Sequence, residues 1–141
     1  YPGLPDSLKR TSRISDLSLI LTETDNPSVP PQAIGPEPEH GYCFYFQKTA
    51  LALQKGDSSN AYAYASQVLE QNLSPVYAPD LAPVILSLLE SGDYDGASQL
   101  IDQSQISSAD NNYLCKYWLR NLPEALSNAD LSFFYKSHGC L

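Results

Sequence analysis

Histidine, cysteine and paired carboxylates are the side chains here that could do chemistry, and they are few. Histidine is the usual general base near neutral pH, and the chain has two, His40 and His138. His40 stands three residues before Cys43, and His138 two before Cys140, together imitating a Cys/His zinc set. Neither pair has the Cys-x-x-Cys partner of structural zinc sites, so no metal site is expected. A Cys-His nucleophile needs both groups within hydrogen-bond reach and a third group to orient the base. Cys115 lies instead in a helical run among aromatics, where simple packing is the expectation. The acid pairs Asp93/Asp95 and Glu37/Glu39 are spaced by two, which separates side chains on a helix and is common in loops. No phosphate-cradling glycine loop or nucleophile elbow is present. The expectation is therefore a non-catalytic chain with no cofactor. Asn72-Leu73-Ser74 is a formal glycosylation sequon, meaningful only in a eukaryotic secretory setting.

Cysteine chemistry has an odd count to work with. Cys43, Cys115 and Cys140 leave at least one thiol unpaired within the chain. One disulfide is open to three pairings. The alternative is two buried helix cysteines and a frayed terminal one.

Any site must be held by a scaffold, and 141 residues with 43% apolar side chains suffice for one folded domain. The net charge of −8, from 16 acids and 8 bases, repels phosphate backbones. No run of Lys or Arg offers a local exception, so nucleic acid is excluded as a partner. No apolar stretch approaches the ~20 residues of a membrane-spanning helix. Leu81 to Leu89 is short and interrupted by Pro83 and Ser87.

Organisation changes near residue 40. Pro27, Pro30, Pro31, Pro36 and Pro38 crowd one stretch, and proline at that density excludes helix and central strand. Upstream, Leu17, Leu19 and Leu21 alternate in a period-two pattern that predicts one short strand over Asp16–Thr22. Residues 1–40 thus read as an extended proline-rich connector, and residues 41–141 as a helical domain. From Gly41, Tyr42, Tyr45, Phe46, Thr49, Ala50 and Leu53 recur at helical steps. Gly56 suits a left-handed C-cap, and Asp57, Ser58 or Ser59 an N-cap. Ala61, Ala65, Val68 and Leu69 mark a second helix that Ser74-Pro75 ends. A third, capped by Asp80 with Pro83 in its first turn, carries Leu81, Val84, Ile85, Leu88 and Leu89. Gly92-Asp93 breaks it, and Ala97, Leu100 and Ile101 line a fourth. Ser107 and Asp110 have capping-box spacing ahead of a fifth with Tyr113, Leu114, Tyr117 and Trp118 inward. Pro123 opens a sixth, with Leu122, Ala125, Leu126, Ala129 and Phe133 inward and Gly139 as its stop. The prediction is an all-α fold of about six helices in three helix–turn–helix pairs.

Two of the breaks repeat. Gly56-Asp57 and Gly92-Asp93 stand 36 residues apart, and a small alanine follows each, Ala61 and Ala97. Gly92-Asp93-Tyr94-Asp95-Gly96-Ala97 resembles the turn of a tetratricopeptide repeat, whose period is about 34 residues. Gly56-Asp57 with Ala61 is a weaker match, lacking the aromatic, and Arg120-Asn121-Leu122-Pro123 keeps no Gly-Asp. The likeness covers about residues 41 to 104. A second run, Pro38 to Ala50 followed by Leu53-Gln54-Lys55-Gly56-Asp57, is similar to a soluble tail of bacterial multi-pass membrane proteins related to lipid-linked sugar transferases. Asn112-Tyr113-Leu114-Cys115-Lys116-Tyr117-Trp118 resembles the end of that tail. This resemblance implies an extracytoplasmic domain, tethered to the membrane only through another portion of its parent protein.

Helix–turn–helix arrays commonly present their first helices as a concave binding surface. Tyr45, Gln47, Tyr113 and Tyr117 are the candidate binding residues of that face, for a protein or peptide partner. The expected role is a protein-interaction or scaffold domain. Its rival is a regulatory or substrate-contacting tail of a membrane glycosyltransferase, which aromatic and carboxylate residues grouped in one cleft would favour.

Overall fold

Gly41 is extended, and the chain turns helical at Tyr42. The computed structural model describes residues 39–104, 106–122 and 128–141. Within them are six α-helices and no strand: α1 Tyr42–Gln54, α2 Ser58–Glu70, α3 Leu81–Glu90, α4 Tyr94–Gln103, α5 Ser108–Asn121 and α6 Ala129–Ser137. A 3₁₀ turn, Ala78–Asp80, leads into α3. Residues 1–38 of the expected connector, with the Asp16–Thr22 strand, and Pro123, Ala125 and Leu126 lie outside the described residues.

One local device recurs at the helix ends. After α1, Gly56 takes φ +72°, its N–H donates to Leu53 O, and the Asp57 N–H donates to Ala52 O. After α3, Gly92 takes φ +77° and the same two bonds run from Gly92 to Leu89 O and from Asp93 to Leu88 O. This is the Schellman cap, which satisfies carbonyls that the helix leaves orphaned. Asp57 and Asp93 then cap the following helix, their carboxylates accepting from the N–H groups of Asn60 and Gly96. One Gly-Asp pair thus closes one helix and opens the next. The cap reappears with Asn72, at φ +51°, closing α2 before the expected Ser74-Pro75, and with Gly139 closing α6. Ser107 caps α5 as its spacing predicts. Asp80 occupies the cap position of α3 without a side-chain cap bond.

Packing follows a regular order. α1 packs on α2 and α3, α2 on α3 and α4, α3 on α4 and α5, and α4 on α6. α3 is the hub, with every residue from Leu81 to Leu89 buried. Trp118 of α5 is fully buried and its indole N–H donates to Ala82 O at 3.1 Å. Ala61 and Ala97, the small residues after the two turns, are 0% exposed. Gly96 is tighter still, since a Cβ there would lie 2.8 Å from Leu69 Cδ1 and 2.7 Å from Asp93 Oδ2.

The last helix corrects the sequence reading. Phe133 and Ala129 point outward, Phe133 being 75% exposed, while Leu131, Phe134 and Tyr135 are buried. Counting one stripe forward from Leu122 sets the wrong phase. The described helix starts at Ala129 under an Asn128 cap whose Oδ1 accepts from Asp130 N and Leu131 N. From that start, the three- and four-residue steps run Leu131–Phe134–Tyr135.

Candidate functional site

The expected binding residues fall into two groups. Tyr45, on α1, is half-buried, and its hydroxyl accepts from Gln71 Nε2 at 2.7 Å. Its ring meets Phe44 edge-on at 5.2 Å, and His40 stacks on the other ring of that cluster, Phe44, at 3.6 Å. Gln47 is exposed on the same helix. Tyr113 and Tyr117 share α5, their ring centroids 6.5 Å apart, both half-buried against the core. Between α1 and α5 lies α3, which packs on both and is buried on every side down to Glu90. Neighbouring packed helices have axes about 8–10 Å apart. The tyrosines of α1 and α5 therefore form two patches separated by a helix that adds no exposed side chain before Glu90.

The cysteines resolve into one bridge. Cys115 of α5 is bonded to Cys140, which follows the Gly139 cap. Asn111 Nδ2 donates to His138 O at 3.0 Å, and Trp118 meets Phe134 edge-on at 6.1 Å, so three contacts join α5 to α6. Cys43 is free and exposed. The bridge removes Cys140 from the His138/Cys140 pair, and His138 Nδ1 lies 2.9 Å from Phe134 O. No group of three or more His, Cys, Asp or Glu converges on a metal-sized point among the described residues.

Titration behaviour is that of a core. Burial first, with the Asp80 carboxylate and Cys43 adding, drives the Tyr42 phenol far above its ordinary value. That hydroxyl donates to Asp80 O at 3.1 Å and ties α1 to the turn before α3. Burial pushes Tyr135 up to about 12. Burial also raises the carboxyls of Asp80 and Glu90, the latter against a lowering bond from Ser58.

Concavities lie on the surface formed by the described residues. One, of about 550 Å³, runs along α5 beside the disulfide, past Asn111, Asn112 and Lys116. Another, of about 220 Å³, lies between α4 and α6 and gathers Tyr94 and Asp95 with Asp130 and Phe133. The sequence reading missed this second cleft because it turned Phe133 inward. The signal that reveals it is the Asn128 cap, which resets the phase of α6. No protein-family model, curated protein or solved structure matches this chain.

Proposed function

We propose that residues 41–141 are a tetratricopeptide-like array of helical hairpins serving as a protein-interaction or scaffold domain of a larger membrane protein. The observation that carries this reading is the repeated Gly-Asp device at Gly56 and Gly92, with the same two cap bonds and the same Asp cap. The packing order supports it: first helices α1, α3 and α5 touch in sequence, as do second helices α2, α4 and α6. Stacked hairpins bury one another in this way, each repeat contacting its neighbours. The Cys115–Cys140 bridge suits an oxidising compartment outside the cytoplasm. No helix among the described residues is long and apolar enough to cross a membrane.

A photo-crosslinking residue placed at Gln47 and, separately, at Tyr117 in the parent protein tests the reading. The same discrete protein adduct at both positions, absent with the crosslinker at exposed Gln99, is the expected result. No protein adduct at either position, or an equal one at Gln99, overturns it. The rival reading, a substrate-contacting tail of a membrane glycosyltransferase, draws on the α4–α6 cleft, where rings and carboxylates meet. Perturbation of the cleft amides by a neutral disaccharide would decide for that rival.

A further inference from the structure

Between Lys55 and Lys116 the sequence contains no Lys, Arg or His, yet it carries Asp57, Glu70, Asp80, Glu90, Asp93, Asp95, Asp102 and Asp110. Helices α2, α3 and α4 and the start of α5 are therefore without a single cation of their own. A surface so one-sided concentrates cationic partners around it.

The α4–α6 cleft gives that field a specific seat. Asp95 stands on the α4 side and Asp130 on the α6 side, and neither meets a cation among the described residues. Buried Phe134 lines it too, with Ser98 and Ser137. Phe133 stands at the rim with 75% of its surface exposed, a large aromatic held outward by the phase of α6. A guanidinium is planar, stacks on an aromatic face and offers paired donors to carboxylates. The cleft, about 220 Å³, has room for one such side chain.

We propose that this cleft binds an arginine side chain presented by a basic peptide segment of a partner protein, with Asp95 and Asp130 pairing its charge and Phe133 covering its plane. The site is on the second helices, apart from the α1 and α5 tyrosines, so it stands or falls independently of the first-helix face.

The test uses the full 141-residue chain and a fluorescein-labelled hexapeptide alternating Arg and Gly, with a citrulline version of equal shape and no charge. Fluorescence anisotropy at low salt should show binding of the arginine peptide and at least tenfold weaker binding of the citrulline one. Phe133→Ala should weaken binding by on the order of threefold, and Asp95→Asn with Asp130→Asn by on the order of tenfold. Glu70→Gln with Asp102→Asn, acids away from the cleft, should change it less than twofold. Both aspartates sit in first turns of helices, so their loss weakens those helices slightly. Amide chemical shifts of the unaltered chain therefore supply a second readout, with the largest changes expected at residues 94–98 and 130–137. Equal affinity of the cleft variants and wild type, shifts spread evenly over the acidic helices, or no binding overturns the proposal. So does a neutral disaccharide that shifts the cleft amides when the arginine peptide does not, and that outcome supports the sugar-contacting reading.

Discussion

Reducing the Cys115–Cys140 bridge should cost the helical domain much of its stability. The two cysteines are 25 residues apart in sequence. Freeing a loop of that size returns to the unfolded chain an entropy equivalent to about 3.5 kcal/mol at room temperature. Contacts that do not depend on the bridge remain between α5 and α6: the Asn111–His138 bond and the Trp118–Phe134 ring pair. They resist undocking of α6 but do not replace the lost constraint. For a helical unit of about 100 residues, each kcal/mol moves Tm by about 4–8 °C, so a fall of roughly 15–25 °C is expected. The clean comparison is the wild-type chain with and without reductant, followed by far-ultraviolet circular dichroism, because both sulfurs stay in place. Cys115→Ala with Cys140→Ser should fall at least as far, since Cys115 is only 5% exposed and its truncation opens a small void. A thiol count on the folded, unreduced chain should find one reactive group, Cys43. Melting temperatures within about 3 °C of each other, oxidised and reduced, would refute the reasoning that the bridge stabilises the domain by constraining its unfolded chain.

Three further outcomes test the core and the caps. Gly96→Ala should destabilise by about 1–3 kcal/mol in urea melts, because the new methyl meets Leu69 and Asp93, whereas Gly41→Ala, with open space around it, should leave the midpoint almost unmoved. Ser87 is buried with a hydroxyl that finds no partner among the described residues, so Ser87→Ala should be neutral or stabilising by up to about 1 kcal/mol in the same melts. Bonds from the Asn60 side chain and then its N–H hold the Asp57 carboxyl below its ordinary value. A folded-state value below the unfolded one, about 3.9 for Asp, stabilises fully above the unfolded value and is lost as pH falls through the folded one. The stability gap between wild type and Asp57→Asn, measured by thermal melts across acid pH, should therefore be full above about pH 4 and shrink as the pH falls below it.

Much of the scaffold is legible in the residues because its signals are local. A glycine that must take positive φ, followed by an aspartate able to cap, announces the turns at Gly56 and Gly92 without reference to the rest of the fold. The stripe Leu81, Val84, Ile85, Leu88, Leu89 likewise marks a buried helix, although only packing from several sides explains why Ala82, Pro83, Leu86 and Ser87 are buried too. The phase of α6 was not legible, because it depends on where the helix starts, and the Asn128 cap competes with the stronger-looking Pro123. Nor was the pairing of Cys115 with Cys140, since spacing alone leaves three choices and the decision belongs to the docking of α6 on α5. The candidate face suffered from the same limit. Tyr113 and Tyr117 are one helical step apart and meet, but whether Tyr45 and Gln47 share their surface depends on how deeply α3 is buried between them.

The recurring cap also shows how one local geometry serves different ends. In each case a residue of positive φ closes a helix, and the next residue's N–H reaches back to the helix. The identity of that next residue sets the onward course of the chain. Asp57 and Asp93 carry a carboxylate that captures an orphaned N–H, so a new helix begins at once and doubles back on the old one. Leu73, after Asn72, has no such oxygen, and the chain continues without a helix to the turn at Ala78. Cys140, after Gly139, carries a sulfur, and the same reversal delivers it to Cys115 on α5. Exchanging roles makes this reasoning testable: Leu73→Asp supplies a capping oxygen but no helix-forming sequence, because Pro79 would stand six residues on, in the interior of the new helix, where it removes a backbone N–H and clashes with the preceding turn. It should therefore add no helical signal in circular dichroism, and a measurable gain would show that the cap alone, rather than cap and following sequence together, starts each second helix.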